Sequence, residues 1–371
     1  MEKKTMMILA VVVVVIVLGG VMAWYFTKPD DGNGDNTIYF TAIPPALQKQ
    51  AISNGTVSGG VSWEPYVSDS LVDGSANALV WSGEFWPNHP CCVVAARTGF
   101  AESNPELVSR MIKVHLVASD WVTTTLSEGP GTENYTKLMA AGAAFSNRGV
   151  NVVENATDHI LYETDITPAV EDYLVLFTEK FIELGIVTNA TIEQRGYDNA
   201  TDFVSNIVDT TYYDAAADIQ PIQPGDDPIG TVRLGYLTGD LHQFARVVAM
   251  DDDIWGGKSL YEIYGINVQV DNPAGFANGP LVMDAFAANA IDVGYLGCPP
   301  AMQKALNVGT DIKIVALANE EGSAIIANND IDSFGDLVNR TVATPGPGSI
   351  QHLFLLAYAE DNGYRVVLKA A

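Results

Sequence analysis

The chain has 371 residues, 48% of them apolar, and a formal charge of −26 from 19 Lys+Arg against 45 Asp+Glu. That length suits two or three domains, or one two-lobed domain with an appendage, and the apolar content argues against wholesale disorder. Such acidity argues against a nucleic-acid partner or an anionic membrane surface, since both would repel it, and it reads as a solvated exterior.

At the N-terminus, Lys3 and Lys4 precede MMILAVVVVVIVLGGVMAWYF, 21 residues without a charge that end on Trp24–Tyr25–Phe26, with Lys28 just beyond. About 20 apolar residues span a bilayer, and the aromatic cluster suits its interface. Residues 1–28 therefore read as an uncleaved transmembrane anchor, with Val21-Met22-Ala23 keeping a cleaved signal peptide open as the competing reading. Basic residues at the extreme N-terminus place that end inside. On either reading the folded part is extracytoplasmic: anchored by a single pass, or secreted if the segment is cleaved.

A polar, Gly-bearing linker, 29–36, leads into TIYFTAIPPALQKQAISNG, a strand, a Pro-Pro turn and a helix. VSGGVSWEPYVSD is a strand emerging into the Trp63–Tyr66 loop, and ALVWSGEFWPNHPCCVVAARTGF holds two strand-like runs around an aromatic loop. SNPELVSRMIKVHLVASDWV starts a helix, with Ser103 and Glu106 spaced as a capping box and Pro105 in the first turn. Leu107, Met111, Val114, Ala118 and Trp121 follow helical spacing. The sequence stays mostly helical to about Tyr213. A second linker, Ala217–Gly230, is dense in Pro, Asp and Gly. Behind it strands and helices alternate, from TVRLGYL through INVQVDN, GPLVMDAFAANA, IDVGYLG, IKIVALAN and SAIIANN, as in a doubly wound sheet. ATPGPGSIQHLFLLAYAEDNGY, near the end, is a strand exit, a Gly/Pro turn and a helix opening on Ser349 and stopping at Gly363.

Cys91 and Cys92 are adjacent in an apolar run and Cys298 is distant; the spacing matches no zinc motif, so these read as buried free thiols. Six N-x-S/T sequons, at Asn54, Asn134, Asn155, Asn189, Asn199 and Asn339, would be acceptors on an exported chain. MDDDIW lacks the ligand ladder of a calcium loop and reads as a solvated turn.

Several of these segments together resemble the extracytoplasmic solute-binding proteins of ABC importers, in the nitrate/sulfonate/taurine-type branch. The carriers of the resemblance are VRLGYL, AFAANAIDVGYLGCPPAMQKALNVGTDIKIVA, DLVNRTVATPGPGS, PPALQKQAISNGTVSGGVSWEPY and FAESNPELV. Asn339-Arg340 stands where that family more commonly has Gly-Lys, and SGG replaces an Asp-Ala before the Trp. The resemblance implies a two-lobed α/β periplasmic-binding-protein-like fold with doubly wound sheets and a helical return segment. It also implies a small-molecule ligand, an anion or sulfonate-like solute, and an ABC permease as partner.

The order of segments departs from the family. Residues 37–100 correspond to the second half of lobe II, 101–216 to the helices returning to lobe I, 231–327 to lobe I and 328–371 to the first half of lobe II. The linker 217–230 would join the ancestral ends. Circular permutation is the simplest account, with a fragment of a tandem repeat and an exchange of half-lobes between two chains as the alternatives. RVVLKAA and TIYFTA are expected to compete for one strand position or to form an added hairpin, and hinge crossings are expected near Asn328–Asp336 and Phe100–Pro105.

In such a fold the ligand sits between the lobes, at strand C-termini and helix N-termini. The expected contacts are Pro44, Trp63, Glu64, Trp86, His89, Thr238, Asp240, His242, Gly297, Cys298, Thr344, Gly348 and Ser349. Helix N-terminal amides favour an anion; Asp240 and Glu64 oppose a bare anion and leave room for a zwitterionic or cationic ligand. Ser349 reads equally as a plain N-cap, each histidine as structural, and Trp63 and Trp86 as core. No G-x-S-x-G, metal-spaced His pair or P-loop is present, so the reading is a binding protein rather than an enzyme, with no cofactor and no metal. Two alternatives stay open: a ligand sensor or interaction module without transport, and a protein like the neighbouring branch that makes a thiamine pyrimidine precursor, whose Cys-rich motif HPCC faintly resembles.

Overall fold

Among the described residues, 36–369 of the computed structural model, twelve strands pair into two six-stranded sheets. The first takes β1 (Thr37–Ala42), β2 (Gly59–Trp63) and β3 (Asn77–Trp81) from one end of the chain and β10 (Ser323–Ala327), β11 (Thr341–Thr344) and β12 (Arg365–Leu368) from the other. The second takes β4 (Pro90–Arg97), β5 (Ile160–Leu161), β6 (Gly230–Gly235), β7 (Ile266–Gln269), β8 (Val293–Gly297) and β9 (Ile312–Glu321). The chain is thus mixed α/β with two sheets and many helices. The anchor read at Met1–Phe26 lies outside the described residues, and among those residues no helix is long and apolar enough to cross a membrane.

The first sheet runs β12-β1-β11-β2-β10-β3, parallel from β12 to β2, with β10 antiparallel to both its neighbours. The second runs β5-β9-β4-β8-β6-β7, with β7, β6 and β8 parallel and β4 antiparallel between β8 and β9. Strands β2, β8, β10 and β11 are buried at every residue and β4 at all but Arg97. That explains their continuous apolar sequence, because strands covered on both faces do not alternate.

RVVL and TIYF neither compete nor form a hairpin. They lie side by side in parallel, Thr37 opposite Arg365 and Phe40 opposite Leu368, with β1 between β11 and β12. A hairpin turn joins only antiparallel strands, and these come from opposite ends of the described chain. Asn36 Nδ2 donates to the Gly363 carbonyl at 3.2 Å and Lys369 N to the Phe40 carbonyl at 2.8 Å, so those two ends meet.

Among the described residues the chain passes between the sheets at two places, and neither is where the sequence reading put it. One is Ser82–His89, between β3 and β4; the other is the step from β9 to β10 through Glu321 and Gly322. Glu321 (φ 60°) and Gly322 (φ 80°) are consecutive left-handed residues, which turn the chain from one sheet into the other. Apolar content cannot assign SAIIA or PCCVVAA to a sheet; their antiparallel pairing with distant strands does.

The helix Pro105–Glu128 buries Leu107, Met111, Val114 and Ala118, while Trp121 is half-buried with its ring 5.9 Å from that of Trp255. The expected capping box at its start is absent. Ser103 ends a preceding short helix, Thr98–Ser103, where its hydroxyl donates to the Gly99 carbonyl at 2.7 Å, and Glu106 pairs instead with Arg110. From the same helix, His115 Nε2 donates to the Leu317 carbonyl at 2.8 Å and its Nδ1 faces the Tyr295 hydroxyl at 3.3 Å, which ties helix to sheet. Asp252 and Asp253 lie exposed in a turn, as read from sequence, and Asp251 before them is half-buried.

Candidate functional site

Three helix N-termini converge where the two sheets face each other. Gly279–Ala287 and Cys298–Val308 belong to the second sheet's side and Ile350–Asp361 to the first's. Local sequence starts each of them. Asn278 Oδ1 accepts from Leu281 N at 3.1 Å; Pro299 and Pro300 occupy a first turn that needs no N–H; Ser349 Oγ accepts from His352 N at 3.1 Å. Between them lies a cavity of about 20 Å³, room for about one water-sized body.

Trp63, Asp240, His242, Gly297 and Ser349 of the expected residues line this cavity. Ser349 is both wall and N-cap, its hydroxyl donating to the Gly346 carbonyl at 2.9 Å. The others lie elsewhere. Thr238 is exposed, with its hydroxyl turned to the Ala274 carbonyl at 2.7 Å, and Pro44 is exposed at the start of the helix Pro45–Ser53. Trp86 packs against Phe85, Phe177 and Phe354, which is its core reading. His89 donates from Nδ1 to the Pro90 carbonyl, Cys298 Sγ contacts that same carbonyl at 3.4 Å, and Thr344 is buried at the end of β11. Gly348 N donates to His352 Nδ1 at 3.4 Å. Glu64 is buried behind the wall, held by Ser68 N at 2.9 Å and Ser68 Oγ at 2.7 Å.

Sequence reasoning missed Cys91, Cys92, Leu237, Gly279 and Pro300 as cavity walls. All three cysteines are buried and free, as expected. The signal missed was the juxtaposition of the two thiols with His242, which sequence distance conceals. Gly279 was readable in hindsight as a close approach: a Cβ there would lie 2.4 Å from Pro300 Cγ.

Contacts also span the gap between the two sides. The Tyr66 hydroxyl donates to the Thr238 carbonyl at 2.8 Å, Leu241 N to the Glu64 carbonyl at 3.3 Å, and His242 Nε2 to the Gly322 carbonyl at 3.0 Å. These bonds tie the two sides together beside the cavity.

Charge in the site is set mainly by burial. Burial pushes Glu64 up to about 7 against its bonds from Ser68, and Asp240 up to about 6 against the pull of His242. Burial alone would lower His242, but Cys91 and Asp240 outweigh it and lift the imidazole to about 9. The Cys91 thiol is held well below its usual range, first by the hydrogen bond with Cys92, while Cys92 is pushed well above it. One wall therefore carries the titratable side chains of Cys91, Cys92, Asp240 and His242, and the opposite walls carry the partial positive charge of helix ends. Behind them Arg246 is buried between the rings of Tyr236 (4.0 Å) and Phe145 (4.6 Å), with Nε and Nη2 lacking a hydrogen-bond partner among the described residues. The helix ends favour a compact anion, while Asp240 on the cavity wall opposes a bare one.

The model of the NMT1-like family matches residues 22–133, less than a third of the chain. The nitrate/nitrite binding protein NrtA of Nostoc is 22% identical over 130 residues, covering 35% of this chain and 29% of that protein. The resemblance to the nitrate/sulfonate/taurine type of solute-binding protein holds. The bicarbonate transport ATP-binding protein CmpC of Synechocystis is 27% identical over 94 residues, covering 25% of this chain and 14% of that protein. The chain thus spans under a third of the length of either relative, and no solved structure matches it significantly.

Proposed function

We propose that this chain is an extracytoplasmic solute-binding protein that closes two lobes on a small anion and delivers it to an ABC permease. The carrying observation is the convergence of three helix N-termini on one small closed cavity. The likeness to a nitrate/nitrite binding protein supports the class of ligand. The lobes are the two sheets with their helices; the hinge is Ser82–His89 together with Glu321–Gly322, and opening the cleft breaks the contacts across it. Trp63, Gly297 and Ser349 are the proposed ligand contacts, and no chemistry is done on the solute. The segment 1–28 serves as the membrane anchor. We ascribe the segment order to circular permutation, which the pairing of β1 with both β11 and β12 within one chain supports, as does the meeting of residues 36 and 369.

A thermal-shift panel of nitrate, bicarbonate, sulfonates, taurine and pyrimidines tests the ligand class. A ligand at a hundred times its Kd stabilises the native state by about 2.7 kcal/mol. The largest rise in Tm is expected from nitrate or bicarbonate, because the closed cavity is so small. A flat panel sinks the small-anion reading.

Tyr66→Phe removes a single hydrogen bond across the cleft and leaves the ring in place. Affinity for the best solute should fall about 3- to 10-fold, through faster release, with Tm of the free protein little changed. Unchanged affinity in calorimetric titration would show that the Tyr66–Thr238 bond does not favour the closed form.

A further inference from the structure

Cys91, Cys92, Asp240 and His242 meet at the cavity floor although up to 151 residues separate them in sequence. Two neighbouring residues of a regular strand point to opposite faces. Here β4 is irregular: Pro90 pairs with Glu320, Cys92 with Asn319 and Val93 with Leu317, so the register slips on either side of Cys92. The Asn319 side chain accepts from Cys92 N at 3.0 Å and holds that distortion. A bulge of this kind re-aims side chains, and it brings both sulfurs to the same imidazole nitrogen.

We propose that this cluster is a binding site for one zinc-class metal ion, ligated by Cys91 Sγ, Cys92 Sγ and His242 Nδ1, with Asp240 as the fourth ligand. The donor atoms of Cys91, Cys92 and His242 all lie within 4.8 Å of one another. His242 Nδ1 is 3.5 Å from Cys91 Sγ, 3.9 Å from Cys92 Sγ and 3.3 Å from Asp240 Oδ1, and Cys92 Sγ is 3.8 Å from Asp240 Oδ2. Metal–sulfur bonds of about 2.3 Å and metal–nitrogen bonds of about 2.0–2.1 Å, set at tetrahedral angles, put neighbouring donors about 3.5 Å apart. The contacts of His242 Nδ1 with the two sulfurs and with Asp240 Oδ1 fit edges of such a tetrahedron, and Asp240 approaches Cys92 Sγ through its other oxygen.

The outer contacts fit as well. His242 Nε2–H donates to the Gly322 carbonyl at 3.0 Å, which orients the ring with Nδ1 toward the sulfurs, and Asp240 Oδ1 is fixed by His242 N at 2.9 Å. All four residues are buried, and among the described residues neither Lys nor Arg forms an ion pair with Asp240. Two sulfurs, one imidazole and one carboxylate make a mixed donor set that suits Zn²⁺ better than a hard, oxygen-seeking cation. Binding releases the proton on His242 Nδ1 as the metal–nitrogen bond forms, and any proton still on the two sulfurs as the metal–sulfur bonds form. The ligands face the cavity, so the ion enters when the lobes part.

The experiment uses the purified full chain, reduced and stripped with chelator, with no solute present, so that its outcome is independent of the anion reading. Titration with Zn²⁺ against a chromophoric chelator should show one ion per chain. Co²⁺ in its place should give a thiolate-to-cobalt charge-transfer band and the visible bands of tetrahedral coordination. Cys92→Ser should weaken binding more than about 100-fold, since loss of an outer-shell partner alone costs about 10- to 100-fold. Cys298→Ser, a buried thiol outside the cluster, should leave both readouts unchanged and controls for folding. No stoichiometric binding to the unsubstituted chain, or a cobalt spectrum without the thiolate band, overturns the proposal whatever the variants do.

Discussion

Replacing Gly322 by alanine is expected to be the most damaging small change in this protein. The residue sits at φ 80° immediately after Glu321 at φ 60°, at the step from β9 to β10. A Cβ built there lies 2.2 Å from His242 Nε2 and 3.1 Å from Ile160 Cγ1. The left-handed conformation costs a non-glycine residue about 1–2 kcal/mol, and overpacking a buried site adds about 1–3 kcal/mol. Chemical denaturation should therefore show a loss of about 2–5 kcal/mol. The imidazole cannot yield without leaving the Gly322 carbonyl, so the cavity wall moves with it. Solute affinity should drop by at least about 30-fold, the equivalent of about 2 kcal/mol. A Gly322→Ala protein that keeps both its stability and its affinity would refute the hinge assigned to this step.

Removing the His115 imidazole is expected to have the largest pH-dependent effect. Burial lowers its pKa from an ordinary 6.5 to about 4, and the bond to the Leu317 carbonyl recovers only part of the difference. Its folded value is depressed, so the native state keeps the neutral ring while the unfolded chain takes up a proton below about pH 6.5. The stability it contributes is complete above that pH and is lost as pH falls toward 4. The loss is on the order of 3 kcal/mol. Glu64 and Asp240 act oppositely. Their raised folded values make the native state the better proton binder between neutrality and the ordinary carboxylate range, so their penalty shrinks as pH falls. The measurement is therefore a difference. His115→Gln should be less stable than the parent chain at pH 7.5, having lost the fit to Leu317 and Tyr295, and that deficit should shrink by on the order of 3 kcal/mol at pH 4.5. Parallel stability curves for the two proteins across that range would show that His115 is not held neutral. His352, likewise lowered to about 4 by burial, should behave in the same way.

Legibility in the sequence followed the range of the interactions involved. Ser349 and Gly363 bracket the last helix as read, because an N-cap hydroxyl and a left-handed glycine act within one turn. The spacing of Leu107, Met111, Val114 and Ala118 found the buried stripe of the long helix. The capping box at Ser103 failed for an equally local reason: an earlier helix had already claimed that hydroxyl. At the site, Ser349 and Gly297 were found from helix starts, and Asp240 and His242 from the loop that follows β6. Trp86 and His89 looked the same in sequence but turned into the core, since an aromatic loop carries no mark of which neighbour will cover it.

The sequence by itself determined most of the elements, the helix start at Ser349 that faces the cavity, and the likeness to solute-binding proteins, because periodicity, caps and turn residues act over a few positions. Residues 37–100 and 328–371 read in sequence as complementary parts of one lobe, and strands from both regions share one sheet. Only the tertiary structure decided that β1 inserts between β11 and β12, that β4 and β10 change sheets, and that Cys91 and Cys92 both reach His242. Those outcomes rest on the pairing of strands far apart in sequence and on a register slip in β4. A shift of one residue there turns a side chain to the other face, and no local pattern records it.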